Sequence, residues 1–474
     1  MSVSLDREPG LATQKTYHNA EAWVRDIKQR RDTSEILMLL GNDEHLEMVL
    51  LHRDTGQIER LTLEVHNEPV LLPSGFGIGE VLAAEGRLRR QASEGAWGHP
   101  PYAGKVVRGK GIFTYPLGPV RADVAEALSY QLRVMGDEIV RLDLVPQLKE
   151  RHVSHLAVGK SLNDALRIVE RTTGTSTVAH ALAYSLAVED ALDWTVDPTV
   201  AQCRMIAAEL ERVYSHLGDL ATLAVSTGMP IPQMEYLHHK ESILRLNQRV
   251  FGHRYMRGLV APGGTTQDTT PREWQSVGAV IVAIRDAVEQ IQEDLGKTTS
   301  YLDRLHGAGV IPSETVDFVR PVGPVGRAAN RPYDVRRMRP DLNYHDAHFE
   351  MPVLASGDSY ARFMVKAREL IQSLAMLRRW MASDAWLPVT GQAPRPPQAP
   401  REDTVGVGVV EAPRGLLSYR VCVGPDLTIR QLDAGTPSER NWYVVPAAIA
   451  NKNILQDFPI IDASFGLSVA GWDK

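Results

Sequence analysis

The chain has 474 residues, 43% of them hydrophobic and 23% charged, a balance that excludes a disordered protein, a collagen-like repeat and a disulfide scaffold. That length exceeds one ordinary core, so a large domain with at least one smaller unit is expected. The net charge is −6 and no long block of Lys and Arg occurs, which argues against a nucleic-acid partner.

No stretch approaches the roughly 18 consecutive apolar residues of a membrane span, and the opening MSVSLDREPGLATQK lacks the apolar core of a signal peptide. A cytoplasmic location is the expectation. Cys203 and Cys422, the only two cysteines, stand more than two hundred residues apart, so no CxxC pair exists to found a zinc, iron–sulfur or redox site. Cys203 falls in TVAQCRMIAAELERV, a helical pattern, and reads as a small core residue.

In chain order, ILMLL (36–40), LEMVLLH (46–52) and LTLEV (61–65) are separated by the turn compositions GNDE and RDTGQ, which predicts strands of a small N-terminal α/β domain. Gly, Pro and charged residues dominate 72–110, placing a domain boundary near Lys110 and dividing the chain into 1–110 and 111–474. From Ala181 to Leu374 the period is helical. The clearest helix starts at TPREW, with Thr270 as N-cap, Pro271 at N1 and Glu273 at N3, and continues through Val277, Val280, Ile281, Ile284, Val288, Ile291 and Leu295.

GQAPRPPQAP (391–400) reads as a stiff linker because each Pro fixes φ and removes a donor. Beyond it, VGVGVV (405–410), LLSYRVCVG (416–424) and NWYVVP (441–446) favour strands of a small C-terminal sheet. The fold class expected is α+β: a mainly helical large domain with that sheet, preceded by the small α/β domain.

Five segments carry a family likeness: YPLGPVRADV (115–124), ERTTGTSTVAHALAYSLAVE (170–189), AELERVYSHLGDLA (208–221), GRAANRPYDVRR (326–337) and VEAPRG (410–415), with PIIDASFG (459–466) near the end. In this order and spacing they resemble the large subunits of group-4, energy-converting nickel–iron hydrogenases and the 49-kDa subunit of respiratory complex I. The segment 1–110 is compared with the 30-kDa partner of complex I. The resemblance implies an oxidoreductase subunit that sits peripherally on the inner face of the cell membrane. Its implied partners are a small iron–sulfur subunit, which carries the cluster, and integral membrane subunits. A quinone is a candidate ligand, and any NAD chemistry belongs to the wider complex, because no strand-linked GxGxxG occurs here.

In those hydrogenases the metals are held by four cysteines, in E-R-x-C-G-x-C-x-x-x-H and D-P-C-x-x-C motifs. Soft thiolates suit such low-valent metals. Laid on this chain, the ligand positions are Thr173, Ser176, Ser464 and Leu467, so hydroxyls and an alkyl group replace sulfur and no metal is expected. The complex I quinone pattern is also altered: its headgroup His falls at Ala125, its Tyr at Gly174 and its Asp at Ser226.

Arg121, Glu170, Arg171, His180, Asp334, Arg336 and Asp462 remain as cavity or coupling candidates, for which the resemblance implies a charge network passing signals to a membrane arm. Read from the residues, Glu170 with Arg171 and Asp334 with Arg336 are more often structural ion pairs, and His180 on an apolar helix is more often a satisfied core histidine. His238 and His239 are adjacent, not four apart, and read as surface residues. TTGTST (172–177) has no GK to make a phosphate loop. Two functions follow: electron transfer or coupling within a complex, or a purely structural subunit.

Overall fold

The structure is a computed structural model that describes residues 13–17, 20–30, 33–41, 45–64, 109–120, 126–146, 148–267, 271–339, 344, 349–382 and 398–474. Its elements begin with β1 (Thr13–Tyr17), α1 (Ala20–Arg30), β2 (Ser34–Gly41), β3 (His45–His52) and β4 (Ile58–Glu64). There follow β5 (Ile112–Leu117), β6 (Ser129–Met135), β7 (Glu138–Val145), α2 (Val153–Ala157), α3 (Leu162–Val169), α4 (Thr177–Ala191), α5 (Pro198–Ser226) and α6 (Pro230–Phe251). A short hairpin, β8 (Val260–Ala261) and β9 (Gly264–Thr265), leads to α7 (Pro271–Gly296), α8 (Thr299–Leu305), α9 (Ser313–Val319), α10 (Gly323–Ala328), α11 (Val335–Met338) and α12 (Ser359–Ala382). The chain ends with β10 (Thr404–Ala412), β11 (Gly415–Val423), β12 (Ile429–Gly435), α13 (Pro437–Trp442), α14 (Val445–Ile449) and α15 (Phe458–Phe465). The architecture is α+β, with long helices packed on small sheets.

The N-terminal sheet has the order β1-β4-β3-β2, parallel only between β1 and β4. Both faces of β3 are apolar, because side chains alternate along a strand. Met48 and Leu50 meet Trp23 and Ile27 of α1, whereas Val49 and Leu51 meet Val407, Val409 and Leu416 of the C-terminal sheet. Ion pairs cross the same junction: Arg420 to Glu47 (3.0 Å) and Arg331 to Glu35 (2.6 Å).

Helices α5, α7 and α12 form the centre of the large core, to which α7 contributes Val277, Ile281, Ile284, Val288, Ile291 and Leu295 as one buried stripe. Asp197 caps α5, accepting from the Thr199 N–H (2.8 Å), and Pro198 occupies the first turn, where its missing donor costs nothing. The alternating glycines of VGVGVV have a packing reason. Helix α4 lies directly on β10, and a Cβ at Gly406 or Gly408 would come within 2.2 Å of the Ala187 carbonyl or 2.0 Å of the Ala183 carbonyl. Only glycine opposite alanine lets the two backbones approach so closely.

One expectation is overturned. NWYVVP is not a strand: Asn441 and Trp442 end α13, and Val445 opens α14. Thr436 caps α13 by accepting from the Glu439 N–H (3.2 Å) with Pro437 in its first turn, while Asn441 is held side chain to backbone by Val322 (2.9 and 3.0 Å). The third strand of that sheet, β12, comes from Ile429–Gly435 instead. Thr270, residues 65–108 beside the expected boundary and residues 391–397 of the expected linker lie outside the described residues.

A valine at Gly408 is expected to lower the stability of the full chain by about 3 kcal/mol, since a backbone carbonyl cannot yield to its side chain. The shift of the urea unfolding midpoint measures it; an unshifted midpoint would contradict the close approach.

Candidate functional site

Helix α3 ends at Glu170, and the loop 171–176 crosses to the start of α4. There Thr173, Ser176 and His180 face Arg414, Thr436, Ser438 and Gly471 across a crevice of about 10 Å³, room for about one water molecule. His180 is buried, with Nδ1 bonded to the Tyr419 hydroxyl (2.7 Å) and Nε2 to the Thr173 hydroxyl (3.1 Å). Burial first, then the positive Lys474 and Arg151, pull its pKa down to about 3, so the imidazole is neutral. Arg414 donates to the Gly466 carbonyl (2.6 Å) and the Thr175 hydroxyl (3.1 Å), tying the loop to the end of α15.

The four ligand positions carry no thiolate and are differently engaged. Thr173 and Ser176 line the crevice, but Ser464 is engaged elsewhere: its hydroxyl donates to the Ile461 carbonyl (2.6 Å) and accepts from Arg362 Nε (2.9 Å). Arg362 is itself buried over the Phe465 ring. Leu467 packs against the cluster that contains Trp442 and Phe458. Two hydroxyls in a one-water crevice, a third already saturated and an alkyl side chain do not fit a nickel–iron centre, which requires several soft donors around one point.

The remaining sequence candidates fall in separate places. Glu170 accepts from Arg171 (2.7 Å) and from the Gly258 N–H (2.8 Å), and half-exposed Arg171 also reaches the Arg167 carbonyl. Asp462 accepts from the Tyr130 hydroxyl (2.9 Å). Arg121 and Ala125 lie outside the described residues. Asp334 and Arg336 are paired with each other, whereas His180 bonds Tyr419 and Thr173.

Asp334 and Arg336 join a buried ionic cluster. Arg327 donates to Glu411 Oε1 (2.8 Å) and pairs with Asp334 (3.0 Å) and Glu369 (2.7 Å). Arg336 pairs with Asp334 (2.8 Å) and Glu209 (3.2 Å), and Arg212 with Glu209 (3.3 Å). His216 Nε2 meets Glu369 (2.9 Å), while Ser373 and Tyr344 donate to Glu209 (2.6 and 2.7 Å). Three guanidiniums thus face four carboxylates out of contact with solvent.

Burial alone would raise the Glu209 carboxyl, but Arg212 and Arg336 hold it down at about 2; Glu369 is likewise held low by Arg327 and His216 against burial. Glu411 takes the opposite course. Burial and then the neighbouring Asp334 carboxylate push it up to about 7, which relieves the excess negative charge. Glu211, bonded to the Val178 and Ala179 N–H groups at the start of α4 (2.6 and 3.0 Å), is also raised by burial to about 7.

Sequence reasoning missed most of this cluster. Glu209, Arg212 and His216 recur at three- and four-residue steps in AELERVYSH, Glu411 belongs to VEAPRG, and Arg327 is the second residue of GRAANRPYDVRR, so a signal was present. Glu369 and Arg362 had none, because charges at that spacing on a helix normally face water.

With the geometry established, comparison with known proteins shows what the chain is similar to. Residues 227–405 match the family model "Respiratory-chain NADH dehydrogenase, 49 Kd subunit". The carbon monoxide-induced hydrogenase of Rhodospirillum rubrum is 27% identical over 354 residues, 74% of this chain and 96% of that protein. The mitochondrial NADH-ubiquinone oxidoreductase 49 kDa subunit of Neurospora crassa is 26% identical over 292 residues, 62% of this chain and 61% of that one. In fold, the chain matches a chain from the membrane-bound sulfane sulfur reductase, an archaeal respiratory membrane complex, with a TM-score of 0.71 and 22% identity, covering 78% of this chain and all of the other. The chain is thus similar to the 49-kDa subunits of complex I and to a related hydrogenase. Its homologues are subunits of complex I-like or hydrogenase-related membrane complexes.

Replacing Arg327 with Met should cost about 3–5 kcal/mol, because three carboxylates lose their shared cation without regaining water. Equilibrium unfolding in urea reads this, and a cost below about 1 kcal/mol would mean the cluster relaxes around the loss. The His180 ring should show no titration between about pH 5 and pH 8 in ¹⁵N spectra of histidine-labelled protein. Its folded pKa lies below the unfolded one, so the stability it contributes is present above about pH 6.5 and is lost as pH falls toward about 3. A midpoint near pH 6.5 would show instead that the ring is open to solvent protons.

Proposed function

We propose that this chain is a peripheral subunit of a membrane-associated, complex I-like or hydrogenase-related oxidoreductase complex, and that it works in coupling without a nickel–iron centre of its own. The observation that carries this reading is the chemistry of the ligand positions: Thr173 and Ser176 line a one-water crevice, the Ser464 hydroxyl is bonded to Arg362 and Ile461, and Leu467 offers no donor. Residues 111–474 act as the large-subunit unit and 1–110 as a small appended one. Electrons pass through a cluster in a small iron–sulfur partner, and integral membrane subunits anchor the assembly at the inner face of the membrane. Among the described residues no helix is long and apolar enough to cross a membrane, which accords with a peripheral seat.

The ionic cluster suits a coupling role, because it joins α5, α10, α11, α12 and β10 in one solvent-free network whose charge pairing must change as a unit. A quinone headgroup exceeds the space of the crevice, so quinone chemistry in this reading belongs elsewhere in the complex.

Metal analysis and infrared spectroscopy of the complex purified from its native host decide the matter. The expected result is no nickel in stoichiometric amount and no bands from metal-bound cyanide or carbon monoxide. Nickel with those bands would overturn the proposal.

A further inference from the structure

A second cavity, of about 130 Å³, lies on the other face of α4 from the Thr173 crevice. At 100° per residue along α4, Leu182 and Leu186 project from roughly the opposite side to His180. Opposite them, α5 presents Ala201, Arg204, Met205 and Ala208 at helical spacing, and the two alanines leave the space that larger side chains would fill. Val196, Val410, Arg336, Tyr344 and Glu411 complete the lining.

The charged and hydroxyl side chains of that lining are paired within the protein, and among them Arg204 Nε is the one donor without a hydrogen bond. Arg204 makes a paired contact with Glu189 (2.7 and 3.1 Å) and donates to the Ala261 and Gly264 carbonyls (2.7 and 3.1 Å). Arg336 is held by Asp334 and Glu209, the Tyr344 hydroxyl by Glu209, and Glu411 accepts from Arg327 and from the Val335 N–H (3.1 Å). A charged guest would lose its hydration and find no uncompensated partner. The rest of the wall is alkyl or thioether, the surroundings in which a cavity of this order stays dry and accepts an apolar guest such as benzene.

We infer that this cavity is a binding site for a small neutral apolar molecule with about the bulk of one aromatic ring. The site is separate from the crevice and independent of the function proposed above. Its lining includes Glu411, three residues before Arg414 in the same strand-and-turn segment, so a guest contacts the ionic cluster directly.

Calorimetric titration of the full chain with benzene tests this, with benzoate and benzylammonium as charged counterparts of the same shape. Saturable one-to-one binding of benzene, at least tenfold tighter than either ion, is expected. Ala208→Leu fills the cavity and should abolish that binding. Ala201→Leu does so from two turns earlier in α5 and serves where the first variant fails to fold, and methyl shifts at Met205 and Leu186 on adding benzene locate the guest in the unaltered chain. Lack of saturation up to the aqueous solubility of benzene, equal binding of the ions, or methyl shifts confined to other residues would overturn the inference.

Discussion

The contact on which the rest of the structure depends is Arg327 with its three carboxylates. Its charge cannot reach water, so Asp334, Glu369 and Glu411 must be delivered to it by α11, α12 and β10 in one geometry. Buried ion pairs gain little net stability over a well-packed apolar core, yet they penalise misplacement heavily, because a displaced element strands a charge. That asymmetry gives the large domain a single register among elements far apart in sequence.

The consequences reach the crevice. Arg212, part of the same cluster, donates to the carbonyls of Glu411 (2.6 Å) and Ala412 (3.2 Å) and so sets the course of the strand that ends in Arg414. Arg414 in turn fixes the Thr175 loop and the end of α15, where Lys366 and Asp219 form a further buried pair (2.8 Å). The crevice at Thr173 is thus narrow because the elements around it are each held by polar contacts made elsewhere. The N-terminal sheet is drawn into the same frame, since β3 is apolar on both faces and needs two partners, α1 and the C-terminal sheet.

The site was less legible than the fold. Motif spacing located the Thr173 loop, His180 and the Asp334 segment, but it suggested one charge network where the structure has separate sets: Glu170 with Arg171 and Gly258, His180 with Tyr419, and Asp334 with Arg327 and Arg336. Linear order carries no information on which face of the core a residue reaches. Glu369 and Arg362 show this most sharply, for nothing in their local pattern distinguishes a buried cation or carboxylate from a solvated one.

Local chemistry by itself determined the long helices, the strands of the N-terminal sheet and the loss of sulfur at the ligand positions, because periodicity and donor type are properties of neighbouring residues. Only the tertiary structure decided that Asn441–Pro446 runs from one helix into the next, that Gly406 and Gly408 serve a helix rather than a turn, and that three arginines share four acids. Those outcomes depend on groups brought together from distant segments, where desolvation and close packing outweigh the preferences of any short stretch.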